Sequence, residues 1–461
     1  MVTPNLSKLI CLFITASMLC LSSASAQPKL PHGYFWKQLP NGLQVVVIEN
    51  NKVPLATIEI AVKNGAYTEG PEFSGLSHLF EHMFFKANKD YPDQAAFLKR
   101  TQELGAIWNG TTDVERVNYF FTFDRDSLSA GLRFMNAAIR YLRFSPDEMV
   151  KERPVVDGEF QRAESDPGFQ VWYETQKLLW GDLITRKNAI GIHEVINTAT
   201  PEKMNVIKGK YYVPNNSLLT ICGDVKHDDA FALAEKIYGS WESSGVNPIE
   251  KYPIPAFPPL IKSSALIKES TIAKTPYIMY SWQGPAYATD SAATLAIDVF
   301  TNILSLNSSK IQQALVNKGL ASAVSLGSQT THYVSSIETF ILPNPNKLKE
   351  CYAELQNQIS MFASPDYYTD EQLKDAKANL LRNSIRAKEK PSSQASQMSF
   401  FWCSTSLDYF TNQDNNYQKV SREDITRMIK TYITNKPSVS VMVISPEMSK
   451  STSASTFFAA K

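Results

Sequence analysis

Apolar and polar positions alternate along the chain in two periods. The segments "LQVVVIEN" (43–50) and "LATIEIAVKNG" (55–65) carry short apolar runs that predict strands, the second placing Ile58, Ile60 and Val62 on one face. "FSGLSHLFEHMFF" (73–85) switches to helical spacing, with Phe73, Leu76, Leu79, Phe80, Met83 and Phe84 in one stripe. "AIWNGTT" and "VNYFFTF" bracket the polar "DVER" (113–116), a hairpin signal. "LSAGLRFMNAAIRYL" (128–142) and "DEMVKERPVVDGEFQR" (147–162) predict helices, the latter kinked or reset at Pro154. "NSLLTICGD" (216–224) predicts one more buried strand.

The proline cluster "NPIEKYPIPAFPPL" (247–260) divides the chain into similar halves. The halves repeat with an offset of about 220 residues. "YYVPNNSLLTICG" from Tyr211 aligns with "TYITNKPSVSVMV" from Thr431. Ser145-Pro146-Asp147 aligns with Ser364-Pro365-Asp366, and "ELGA" (103–106) with "KGLA" (318–321). Neither half alternates strands with helices regularly, which argues against the parallel α/β lobes of a solute-binding protein. The expected fold is α+β: two homologous sheet-and-helix domains over 27–242 and 262–461, joined by a linker over 243–261.

The N-terminus changes the compartment. Lys8, the apolar run Leu9–Leu21 and the small-x-small Ala24-Ser25-Ala26 predict a signal peptide over residues 1–26, hence export to a periplasm or the medium. No later run is long enough to span a bilayer. With 46 basic and 45 acidic residues, charge gives no reason to expect nucleic acid as a partner. Cys222, Cys351 and Cys403 remain beyond residue 26, odd in number and without metal-ligand spacing. Cys222 reads as a buried strand residue, and a Cys351–Cys403 bridge stays open.

The helical stripe contains the candidate chemistry. His78 and His82, two of only six histidines, stand at i and i+4, so that both imidazoles can converge on one cation. Glu81 stands between them in the order H-x-x-E-H, the inverse of H-E-x-x-H. A catalytic zinc needs a third protein ligand and an open position for water. The zinc would lower the pKa of that water towards ~7, with Glu81 as the proton acceptor. His32, His193, His227 and His332 lack ligand-like neighbours and read as structural or surface residues.

"NGAYTEGPEFSGLSHLFEHMFFK" (64–86) resembles the signature of the pitrilysin and mitochondrial processing peptidase superfamily, the inverzincins, in its branch of single-subunit length. The resemblance runs through nearly the whole chain beyond residue 26. It implies two related domains forming half of a clamshell, one zinc per chain, and hydrolysis of peptide bonds in unfolded peptides or short polypeptides. In that family a third ligand, a Glu, follows the second His by about 75 residues on a helix bearing another Glu one to two turns earlier. Glu159 lies 77 residues beyond His82, and Glu152 seven before Glu159. The resemblance thus makes Glu159 the third ligand and Glu152 an orienter of the ligands. The repeat puts Arg382 opposite Glu159, and the second half has no H-x-x-E-H.

"GAIWNGTTDVERVNYFFTF" (105–123) resembles the family's edge segment, which takes the peptide substrate as an added strand. Asn109, Gly110 and Thr111 would contact it. The family also commonly supplies Arg and Tyr from the second domain in a pattern like L-R-x-x-x-G-L-A-Y. Here "ALVNKGLASAVS" (314–325) has Val316 and Ser322 at those positions. The resemblance therefore implies the metal-bearing subunit of a heterodimer whose homologous partner brings Arg and Tyr, with a homodimer as the alternative. Lys310 or Lys318 is a less favoured substitute, since lysine lacks the planar fork of arginine. The competing function is a non-catalytic structural or assembly subunit of the same fold.

Overall fold

A computed structural model describes residue 28, residues 30–450 and residues 452–458; residues 1–26, expected from the sequence to be a signal peptide, lie outside the described residues. Among the described residues, eleven strands form two sheets. The first contains β1 (Tyr34–Gln38), β2 (Gln44–Glu49), β3 (Leu55–Val62), β4 (Ile107–Thr112), β5 (Val117–Asp124) and β6 (Ser217–Gly223), in the order β1-β2-β6-β3-β5-β4. The second contains β7 (Ser264–Glu269), β8 (Tyr277–Gln283), β9 (Ala321–Ser328), β10 (Ser336–Pro343) and β11 (Val439–Ile444), in the order β7-β11-β8-β10-β9.

The repeat is visible in the pairing. β6 runs parallel to β2 (Val45 opposite Leu219) and antiparallel to β3; β11 runs parallel to β7 (Val441 opposite Leu266) and antiparallel to β8. The aligned segments at 211–223 and 431–443 thus end in equivalent strands. The aligned "ELGA" and "KGLA" lead into β4 and β9, the edge strand of each sheet.

Five helices of the first half matter for the site: α1 (Leu76–Phe84), α2 (Gln94–Glu103), α3 (Leu128–Arg140), α4 (Pro146–Glu164) and α5 (Pro167–Trp180). α1 and α3 cover one face of the first sheet. Leu79, Phe80, Met83 and Phe84 meet Val45, Val47, Ile58, Ile60 and Tyr119 there. Phe73 falls outside α1, because Gly75 starts the helix at φ 87°, where a Cβ would come within 2.7 Å of Gly191 Cα. Pro154 neither breaks nor resets α4, which runs unbroken through it for 19 residues.

The opposite faces are covered by exchange. Val46, Ile48, Ala61, Leu218 and Cys222 pack against Ala395, Met398 and Trp402 of the helix Pro391–Ser404, which belongs to the second half. In return, Val171, Leu179 and Trp180 of α5 pack on Met279, Val439, Val441 and Val443 of the second sheet. A separate sheet-and-helix sandwich in each half is therefore only part of the architecture. All three described cysteines are free, and Cys351 and Cys403 lie in different cores, so no bridge joins them. No helix among the described residues is long and apolar enough to cross a membrane.

Because the exchange makes each core depend on both halves, Met398→Ala is expected to cost about 2–5 kcal/mol and to move a single shared unfolding transition. Two transitions in denaturant, with the variant shifting only one, would show that the halves unfold independently.

Candidate metal and peptide site

α1 begins without a side-chain cap, since Gly75 has none to offer. Glu69 fills the role from outside, its two carboxylate oxygens accepting from the Gly75 N–H at 2.7 Å and the Ser77 N–H at 2.6 Å. With the apolar stripe buried, the remaining face of α1 turns His78, Glu81 and His82 into a cleft of about 460 Å³. α4 forms the opposing wall and presents Glu152 and Glu159, two turns apart on one face.

His78 Nε2 lies 3.5 Å and His82 Nε2 3.7 Å from Glu159 Oε2, and the three ligand atoms fall within 4.8 Å of one another. Ligand atoms around a tetrahedral zinc held at about 2.0–2.1 Å stand roughly 3.3–3.5 Å apart, so these residues fit the ion. Burial, helped by the neighbouring His82, pushes the His78 imidazole down to about 4, which keeps it neutral and able to ligate. Its Nδ1 is buried and has no hydrogen-bond partner among the described residues.

His82 is held differently. Its Nδ1 lies 2.8 Å from Glu152 Oε1, and Lys86 Nζ lies 2.5 Å from Glu152 Oε2. Burial would raise the Glu152 carboxyl, yet hydrogen bonds from His82 and Lys86 hold it below its ordinary range. The Nδ1–H thus donates to a carboxylate and leaves Nε2 free for a metal. Glu81 is raised, first by burial and then by the charge of Glu159, against His82 and a hydrogen bond from Thr112 Oγ1 at 3.0 Å.

Asn109, Gly110 and Thr111 lie on β4, the open edge of the first sheet, and line the same cleft. They do not share one orientation. Gly110 is buried against Glu81, where a Cβ would come within 2.9 Å of Glu81 Cγ and Oε1. The Thr111 hydroxyl donates to Asn118 Oδ1 and accepts from Arg116 Nη2 at 3.3 Å, so it is engaged within the protein. Arg116 reaches on to Ser396 O at 2.7 Å and Ser399 Oγ at 2.9 Å of the second half, beside the buried Glu59. At the β4–β5 turn, Glu115 accepts from the His332 and Tyr333 N–H groups at 2.7 and 3.2 Å. The turn of the edge hairpin is therefore tied to the second half through both Glu115 and Arg116.

Lys86, Thr112 and Glu69 escaped the sequence reading. Lys86 continues the i, i+4 line of His78 and His82, and Thr112 shares the Gly110 face by strand alternation, so both carried a periodic signal. Glu69 acts through a turn that periodicity does not register. In the second half, Val316 packs against the core and Ser322 Oγ bonds Leu342 O at 3.3 Å. Lys310 pairs with Asp366 at 3.4 Å, and Lys318 ends a π-helical turn. His193 stacks on Phe160 and His227 on Phe35.

Residues 44–176 match the family described as Insulinase (Peptidase family M16), and residues 198–380 its Peptidase M16 inactive domain. The chain belongs to the pitrilysin-like M16 superfamily. A zinc protease PqqE of Helicobacter pylori is 23% identical over 88% of this chain and 91% of its own. An uncharacterized zinc protease of Rickettsia bellii is 25% identical over 77% of this chain and 83% of its own. A crystal structure of a protease from Helicobacter pylori superposes with a TM-score of 0.80 at 22% identity, covering 90% of this chain and all of that one. The periplasmic protease PqqL from Escherichia coli gives 0.73 at 15% identity, with 93% of this chain covering 50% of that one. These M16 structures share the two-part α+β architecture, half of a clamshell.

The Arg116 network makes a pH test. Burial pushes Glu59 up from 4.5 to about 7, against Arg116 and Ser399. The folded state then holds a proton that the unfolded chain releases, so this group's stabilising contribution is full below about pH 4.5 and lost as pH rises through about 7. Relative to Glu59→Gln, the wild-type unfolding midpoint is expected to fall across that window. Parallel curves for the two proteins would show that Glu59 is not the titrating group.

Proposed function

We propose that this chain is an exported zinc-dependent endopeptidase acting on unfolded peptides or short polypeptides. The observation that carries the reading is the convergence of His78, His82 and Glu159, with Glu81 beside them and an open strand edge alongside. When bound there, zinc supplies a Lewis acid that acidifies water and polarises the scissile carbonyl.

The chain's own residues do the rest. His78, His82 and Glu159 hold the ion, and Glu152 with Lys86 fixes the His82 tautomer. β4 offers unpaired main-chain groups to an extended peptide, so recognition depends little on sequence. Glu81 takes a proton from the attacking water and returns it to the leaving amine. Trp108 and Phe85 give the same cleft an apolar side.

We take the working unit to be a pair of homologous chains. With Val316 facing the core and Ser322 bonded to its own strand neighbour, neither position offers a cationic or phenolic group to the cleft. A partner subunit would supply Arg and Tyr, and a second copy of this chain is the alternative. The apolar run and small-x-small site near the N-terminus support export, as does likeness to a protein described as periplasmic.

Zinc content and cleavage of unstructured peptides, compared between wild type and Glu81→Gln, test the reading. The variant is expected to keep about one zinc per chain and to lose roughly 10²–10⁴-fold in kcat. Equal cleavage by both proteins would overturn the role of Glu81. Full activity from the isolated monomer would overturn the need for a partner.

A further inference from the structure

The Thr112 hydroxyl stands between two acceptors. Its Oγ1 is 3.0 Å from Glu81 Oε2 and 3.5 Å from the carbonyl oxygen of Ser77, one helical turn before Glu81 on α1. A hydroxyl has a single hydrogen to donate but can also accept. While Glu81 is ionised, the shorter and charged contact holds that hydrogen.

The opposite side of the carboxylate is fixed by shape. Gly110, two residues before Thr112 on β4 and on the same face, leaves no room beyond Glu81 Cγ and Oε1. The strand that would pair with the peptide therefore also confines the base. We propose that Thr112 is a positioning residue for Glu81, its hydroxyl holding Oε2 on one side while Gly110 confines the carboxylate on the other. This rests on the reading of Glu81 as the general base.

The test uses Thr112→Val, which keeps the branched shape and removes the hydroxyl, and Thr112→Ser, which keeps the hydroxyl. Both are compared with Glu81→Gln, in the zinc-loaded assembly that cleaves peptides. A hydrogen bond to a charged group has a size that predicts a kcat loss of about ten- to a hundred-fold for Thr112→Val. KM and zinc content are expected to stay within about two-fold, and Thr112→Ser to recover most of the loss. Affinity for a peptide hydroxamate, which binds without turnover, should fall with the valine and return with the serine.

Wild-type kcat in Thr112→Val, or equal losses in the valine and serine variants, would overturn the proposal while Glu81→Gln stays inactive. Activity retained in Glu81→Gln, or absent from the wild type, would instead overturn the peptidase reading and this inference with it.

Discussion

A sheet that is apolar on both faces must be covered twice, and in this protein each half can cover only one face of its own sheet. Along β2, Val45 and Val47 point into the first half's own core, whereas Val46 and Ile48 point to the helix Pro391–Ser404. Along β11, Val439, Val441 and Val443 meet α5 while Met442 and Ile444 face the second half's own core. The reciprocal loan of one helix in each direction closes both cores. It also sets the separation between the halves, because neither borrowed helix can leave without exposing a strand face.

The candidate site inherits its rigidity from that exchange. α4 carries Glu152 and Glu159 and runs almost directly into α5, whose far end is buried on the second sheet. β4 is an edge strand, and edges are the least restrained part of a sheet. Here Arg116 ties it to the borrowed helix, and Glu115 ties its turn to the 332–333 loop. Metal ligands on one side and strand edge on the other are thus held by contacts that cross between the halves. A constellation fixed from both sides suits chemistry that depends on placing a carboxylate and a carbonyl within an ångström.

What was legible in the sequence follows from period and spacing. Strand alternation at Ile58, Ile60 and Val62, the i, i+4 histidines and the hairpin around "DVER" each reflect local geometry, and each element formed where it was expected. Glu159 was found through family spacing, and it lies across the cleft from both histidines. The borrowed helix was not legible as such. Ala395, Met398 and Trp402 make an ordinary apolar stripe, and nothing in a stripe says which sheet it covers. Pro154 misled in the other direction, because a proline's local cost can be carried by a helix anchored on both sides. The resemblance of its segment to the family's edge strand assigns Thr111 to the substrate, and that resemblance does not register that its hydroxyl bonds Asn118 and Arg116.

The charges of the cleft point to its occupant independently of the ligand geometry. Among the described residues lining it, Lys86 is the one lysine or arginine, and it pairs with Glu152 in a cleft that also holds Glu81 and Glu159. Three carboxyl groups stand against one ammonium, with His78 kept neutral by burial, Glu81 raised by burial and His82, against burial, raised by its hydrogen bond to Glu152. Uncompensated negative charge in a partly buried site is expensive, so the excess of carboxyl groups favours a bound cation. The second half does not repeat this arrangement among the described residues. Its counterpart to α4 is the helix Asp370–Ala387, where the repeat sets Arg382 opposite Glu159. With a guanidinium in place of a carboxylate and no paired histidines, that half lacks the ligand set, and its structural contribution lies in the helix lent to the first sheet.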